Sequence, residues 1–305
     1  MERIAKAYGD RPYVGDLCAP EIPKGEPRPV HAELHQLRRS DRGYANWCSF
    51  IEEHPKIIPT VQLGDLKELR DQVARLLQLR RGLAVYLHGP ALNLVANISQ
   101  AIGVQTGGGA DVFFVVDLGQ QTSSLLVNQA ITTAYVRAIR GVAPSATIAI
   151  SASSFPSGFV NLDAQDIYER AHFEGVAGQL GRAGLIYSDR GSARAERQMG
   201  GGGTPAPRVD LAARSGWSFF RDSDEDDSRV AAYRKQAKRA MASKLWDRAL
   251  KLWGCQMIER TALGDRDAVK SPSSSTAARI NIHLHQQLYY SDPDGLYDTD
   301  EEWVD

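Results

Sequence analysis

Val112-Phe113-Phe114-Val115-Val116-Asp117 is the stretch that decides the fold. Five consecutive apolar residues closed by a carboxylate are too few to cross a membrane. They also lack the polar alternation of a strand with one wet face, so they read as a strand buried on both faces. The same form recurs on either side, in Leu83-Ala84-Val85-Tyr86-Leu87-His88, Thr147-Ile148-Ala149-Ile150-Ser151 and Gly184-Leu185-Ile186-Tyr187-Ser188-Asp189. Tyr13-Val14-Gly15-Asp16-Leu17 and Ile57-Ile58-Pro59-Thr60-Val61-Gln62 extend the series toward the amino end. Gaps long enough for crossover helices separate these runs, which predicts an α/β fold with a parallel sheet of six core strands.

The gaps carry helical signatures. Asp65 and Glu68 form a capping box ahead of Leu66, Leu69, Val73, Leu76 and Leu77, and Gly82 supplies a stop. Val127, Ile131 and Tyr135 fall on one stripe between Ser123 and Arg140, and Asp163 caps a helix running toward Gly181. After Asp189 the pattern changes. Residues 190–208 hold Gly200 to Gly203 and then Pro205 and Pro207, a flexible loop by composition. Gly216-Trp217-Ser218-Phe219-Phe220-Arg221 reads as a further strand. The acidic run Asp222 to Asp227 opens a long basic helix over 228–253, in which Trp246 and Trp253 share a face. A polar linker, Lys270 to Ser275, precedes a last apolar-periodic stretch with Ile280, Leu284 and Leu288. The expected organisation is an α/β domain over 1–221, a helical appendage over 222–291, and a poorly ordered acidic tail over 292–305 with seven carboxylates and no base.

Composition narrows the function classes. With 43% hydrophobic residues and a net charge of -1, the 305-residue chain is neither a basic nucleic-acid coat nor an acidic disordered protein. Cys18, Cys48 and Cys255 are widely spaced, without the clustering of a disulfide framework or a zinc site. No apolar run reaches membrane-spanning length and no signal-like segment opens the chain, so a cytoplasmic protein without a membrane partner is expected.

Polar residues at the ends of the apolar runs are the main chemical signal: Asp16, Gln62, His88, Asp117, Ser153 with Ser154, and Asp189. In a parallel sheet those ends share one edge, where loops converge around a pocket. Asp16, Asp117 and Asp189 are thus a candidate carboxylate cluster, with His88 as proton carrier or ligand of a divalent metal. The plainer alternative is that strand ends become polar where they meet water. Asp222-x-Asp224-x-Asp226 is not a calcium loop, because Asp227 stands where the turn needs glycine and Tyr233 where it needs glutamate. His283 and His285 are two apart, which suits hydrogen bonding better than metal binding. Neither Gly107-Gly108-Gly109 nor Gly200 to Gly203 has phosphate-loop form, and no cofactor is assigned.

The ordered succession of segments resembles the phage beta protein family, found in phages, prophages and bacterial mobile regions. The resemblance rests on Arg11 to Leu17, Ile58 to Val61, Val112 to Gly119, Ser153-Ser154-Phe155-Pro156, Glu169 to Glu174 and Ile186 to Asp189. It continues in Pro207-Arg208, Trp217 to Arg221, Leu252-Trp253-Gly254 and Arg279 to His283, spanning most of residues 3–290. It implies a TIM-barrel-like fold and supplies no established activity. Family members begin with a strand and a glycine-lysine turn, then a second strand. This sequence starts after both, so an incomplete barrel is expected. The function expected from this context is a phage- or defence-associated barrel acting through a protein partner, such as a nuclease or toxin. The alternatives are a metal-assisted hydrolase of a phosphate-containing substrate using Asp16, His88, Asp117 and Asp189, and nucleic-acid binding through the basic helix.

Overall fold

A computed structural model describes residues 6, 9–18, 20, 25–196, 205–221 and 228–299. The chain divides into two compact units. Unit 1 comprises Met1–Gly119, Val127–Ser151 and His172–Ser188; unit 2 comprises Gln120–Leu126, Ala152–Ala171 and Asp189–Asp305.

All six expected strands form: β1 (Tyr13–Gly15), β2 (Ile57–Pro59), β3 (Leu83–His88), β4 (Val112–Gln120), β5 (Thr147–Ser153) and β7 (Leu185–Ser188). β1 pairs with β2, and β3-β4-β5-β7 form a four-stranded sheet whose ladders β3–β4 and β5–β7 are parallel. A parallel bridge from Thr60 to Ala84 links the two sheets. The strands therefore follow one another in chain order, without the reversal of a doubly wound sheet. Among the described residues no ladder joins β7 to β1, so the sheet is not closed into a barrel. Helices α1 (Pro29–Leu37), α2 (Asp41–Glu53), α3 (Leu69–Leu77), α4 (Val95–Gln105) and α5 (Gln129–Val142) fall between these strands in sequence, and α6 (Tyr168–Leu180) precedes β7. The unit's core buries Trp47, Leu83, Leu87, Ile98, Phe114, Ile139 and Ile148. Full burial of such side chains contributes about 1.5–3 kcal/mol each.

Unit 2 carries an antiparallel sheet, β6 (Ala164–Asp166), β9 (Gly216–Arg221) and β8 (Arg208–Ala212), in that order. Strand β9 occupies the predicted positions. Helices α7 (Arg229–Ala242), α8 (Trp253–Leu263), α9 (Pro272–Leu288) and the short α10 (Pro293–Tyr297) complete it. Its core gathers Phe155, Val209, Trp217, Phe219, Tyr233, Ile258 and Ile282. At Gly254 a Cβ would meet the Ala278 carbonyl at 2.4 Å, so glycine sets how closely α8 approaches α9. No helix among the described residues is long and apolar enough to cross a membrane.

Several local expectations are corrected. Asp65 caps a short 3₁₀ turn, Leu66–Glu68, by accepting from Lys67 N. Glu68 does not complete a box; it accepts from the amide of Gly43 at 2.6 Å, where Arg42, Gly43 and Tyr44 are left-handed inside α2. Asp163 caps no helix. Its carbonyl accepts from Phe219 N at the edge of β6. The stripe of Val127 and Ile131 faces solvent, at 82% and 52% exposure, while Thr132, Thr133, Val136 and Ile139 face inward. The long basic helix stops at Ala242, where Ser243 turns extended and its hydroxyl bonds Ala240 O. Beyond it Leu250 and Leu252 are both buried, a two-residue spacing that one helix face does not bury. Trp246 and Trp253 consequently do not share a helix. The polar linker is the start of α9: Ser271 and Ser274 form its capping box around Pro272. Residues 292–299 include a short helix, while Gly200 to Gly203, the run Asp222 to Asp227 and residues 300–305 lie outside the described residues.

Candidate functional site

The C-terminal ends of β1, β2 and β3 open onto a cleft of about 560 Å³ in unit 1. Asp16 follows β1, Gln62 follows β2 and His88 ends β3, and all three line it. The Asp16 carboxylate accepts from Leu17 N at 2.8 Å and from Gln62 Nε2 at 2.9 Å through the same oxygen. The backbone at Gln62 is held in turn, its main-chain N–H donating to Gln72 Oε1 at 2.7 Å. Leu17, Val61, Leu63, Pro90 and Ala91 give it apolar lining.

His88 pairs in register with Asp117 of β4. Strand alternation sets Tyr86, His88 and Asp117 on one face of the sheet. The Tyr86 and His88 rings lie 5.2 Å apart, and Tyr86 Oη donates to Asp117 Oδ2 at 2.5 Å. The other Asp117 oxygen accepts from Gly119 N. Asp117 is therefore buried and does not line the cleft, whereas Tyr86, which donates to it, does.

Arg38 and Tyr44 complete the wall. Arg38 Nη2 donates to Cys18 O at 2.6 Å and Cys18 Sγ at 3.4 Å, tying α1 to the segment after β1. Tyr44 Oη accepts from Asp65 N at 2.7 Å. Burial pushes its phenol pKa above the ordinary value, with the Asp65 amide opposing, so it remains neutral near pH 7. Sequence reading missed Arg38, Tyr44 and Tyr86. Only Tyr86 carried a signal, its two-residue spacing from His88.

Asp189 belongs to unit 2. Its carboxylate accepts from Gly191 N at 2.7 Å and pairs with buried His283 Nε2 at 2.7 Å. His283 stacks on Trp217, with ring centroids 5.7 Å apart. Ser153 Oγ donates to Ala193 O, and Ser154 Oγ donates to Glu169, whose carboxyl burial pushes above its ordinary pKa. Of the four predicted residues, Asp16 and His88 line the cleft, Asp117 is held by Tyr86 within the same unit, and Asp189 is held by His283 in unit 2. Among the described residues no three His, Cys, Asp or Glu side chains are grouped to hold a metal ion.

Against known proteins, residues 1–289 match the family model described as Beta protein. The chain is similar to Protein beta of Enterobacteria phage P4, 27% identical over 282 residues that cover 89% of this chain and 77% of that one. No solved structure matches. A family model that spans nearly the whole described fold, with a phage protein aligned along most of its length, assigns this chain to the beta protein family.

Proposed function

We propose that the protein is a phage-associated binding module whose cleft at the ends of β1–β3 takes an apolar anchor from a protein partner. The observation that carries this reading is the cleft's composition. Its lining joins apolar Leu17, Val61, Leu63 and Ala91 to polar Asp16, Arg38, Gln62 and His88. Protein interfaces draw on the same mixture, apolar anchors together with polar groups. The chain-order run of six strands is read as part of the wall of a TIM-type barrel, whose strand ends are the usual place for a recognition site. Hydrolysis assisted by a metal has less support, because Asp117 is engaged by Tyr86 and Gly119 and Asp189 by His283.

A photo-crosslinking side chain placed at Leu17 or Leu63, with exposed Leu263 as control, tests the proposal in host cells carrying the phage. The reading requires one shared protein adduct from both cleft positions, which the purified partner reproduces and the control lacks. Equal adducts from all three positions would refute it. Phosphate release from a phosphodiester substrate with magnesium or manganese, lost in Asp16→Asn, would instead establish the hydrolase.

A further inference from the structure

Thr60, which follows β2, also lines the cleft at the ends of β1–β3. Its backbone is fixed. The N–H donates to Gly15 O at 3.0 Å, and the carbonyl accepts from Trp47 Nε1 at 2.9 Å and from Gln62 Nε2 at 3.3 Å. The same Gln62 nitrogen donates to Asp16 Oδ1 at 2.9 Å, so Thr60 and Asp16 are neighbours at the ends of two paired strands. Building on the reading of this cleft as a partner site, we propose that the partner's anchor is a lysine side chain. Its aliphatic stem lies against the apolar lining, and its ammonium is taken by Asp16 Oδ2 and Thr60 Oγ1.

Two oxygen atoms of the lining point to a donor supplied from outside. Thr60 is 2% exposed, and its Oγ1 has no hydrogen-bond partner. Buried hydroxyls are nearly always satisfied, so one left open in a cleft lining points to a ligand group. Asp16 is exposed, and only its Oδ1 is engaged, by Leu17 N and Gln62 Nε2. Its Oδ2 accepts no hydrogen bond, and among the described residues no cation pairs with it. Arg38 is the other charged group of the lining; its Nη2 is committed to Cys18 O at 2.6 Å, and it makes no ion pair with Asp16.

The open atoms select the chemistry of the head. A guanidinium matches a carboxylate through two parallel bonds, which needs both oxygens, and Oδ1 already accepts twice. An ammonium is a compact charge with three donors that can reach Oδ2 and Thr60 Oγ1 separately. Lysine also carries a four-carbon stem that buries along apolar surface while its head stays among polar groups. Leu17, Leu63 and Ala91 supply that surface. An exposed ion pair contributes little by itself, so the Thr60 hydroxyl and the buried stem carry the rest of the affinity.

The experiment titrates the full chain, labelled with nitrogen-15, at low ionic strength with the N-acetyl methylamides of lysine, arginine and norleucine, and follows amide shifts by NMR. Saturable shifts at Leu63 and Ala91 are expected with the lysine probe. Norleucine has the same four-carbon stem without the ammonium and should bind about fivefold more weakly, the scale of one exposed ion pair. Asp16→Asn should bring the lysine probe down to the norleucine level. Thr60→Val should weaken lysine more than norleucine without lowering the melting temperature, since the hydroxyl it removes has no partner in the free protein. Norleucine binding as tightly as lysine would overturn the cationic anchor while keeping the apolar cleft, and tighter binding of arginine would overturn the ammonium. Lysine binding unchanged in both variants, or no saturable shift from any probe, would also overturn the proposal, and the partner site itself would then be judged by the crosslinks at Leu17 and Leu63.

Discussion

Replacing Asp210 by asparagine should destabilise the protein far more than the loss of one hydrogen bond. The Asp210 side chain is 0% exposed, Arg279 is 4% exposed, and Arg208 is 23% exposed. Charges about 4 Å apart in a protein of effective dielectric near 20 attract by roughly 4 kcal/mol. Removing the carboxylate leaves Arg279 charged and buried against Phe155, with its Nη2 donating to Ser192 O at 3.1 Å. Burial already lowers the Arg279 pKa, and Asp210 is the largest influence opposing that shift. Stranding a buried charge costs about 3–5 kcal/mol, reduced somewhat here because Arg208 can turn toward solvent. At roughly 2–4 °C per kcal/mol, Asp210→Asn should lower the melting temperature by about 6–20 °C. The double variant Asp210→Leu with Arg279→Met removes both members of the deepest pair and should recover most of that loss. Thermal melts and urea unfolding followed by tryptophan fluorescence measure both. A loss below about 1 kcal/mol in the single variant, or a double variant no better than it, would refute the electrostatic account.

The remaining expectations concern titratable groups and one crossing. Burial pushes the thiol of Cys48 up to about 11 and that of Cys255 up to about 12, whereas Cys18 is exposed. A thiol reagent at pH 8 should therefore modify one cysteine quickly and the other two only after denaturation; fast reaction of two or more contradicts this. Burial raises the Glu169 pKa above its unfolded value, Ser154 opposes the shift, and Asp189 adds to it. Its contribution is thus fully present below the unfolded pKa of about 4.3 and is lost as pH rises through the folded value. Glu169→Gln should gain on the wild type in melting temperature as pH rises toward 7, and a difference independent of pH would sink the assignment. Gly254→Ala should cost about 1–3 kcal/mol by forcing α8 off α9, measured by the same melts.

The parallel strands were legible because full burial leaves a plain mark: consecutive apolar residues such as Val112 to Val116 have no wet face to spend on polar side chains. Strand β8 was not, because Arg208-Val209-Asp210-Leu211-Ala212 buries a charged residue in the middle of its run, and the arginine that justifies it is 69 residues away. The misread helix over 228–253 has a similar cause. Its basic composition fits a helix throughout, but Leu250 and Leu252 are both drawn into the core from an extended segment. Glu68 was matched to the nearest helix start by spacing alone, whereas the fold uses it to hold a left-handed turn at Gly43. Of the candidate site, Asp16 and His88 were readable as strand-end residues. Arg38 follows the last residue of α1 and Tyr44 lies in α2, and nothing in their local sequence distinguishes them from other polar or aromatic positions at helices.

The strand-end residues look alike in sequence, yet the fold gives Asp16 and Asp117 opposite tasks, and a paired substitution separates them. Both Asp117 oxygens are engaged, one by Tyr86 Oη and one by Gly119 N, in a residue 3% exposed. Asp117→Asn turns one acceptor into a donor facing another donor, which should cost about 1–3 kcal/mol and release Tyr86 into the cleft. Asp16 is exposed and receives Leu17 N and Gln62 Nε2 through Oδ1 alone. Asparagine can retain that oxygen, so Asp16→Asn should leave the melting temperature within about 0.5 kcal/mol of the wild type while changing the charge of the rim. If the cleft is the recognition site, the crosslinked adduct at Leu63 should fall in Asp16→Asn without loss of stability. In Asp117→Asn it should fall only together with stability. An Asp16→Asn variant that melts early, or an adduct indifferent to both changes, would mean that the strand ends are polar only because they meet water.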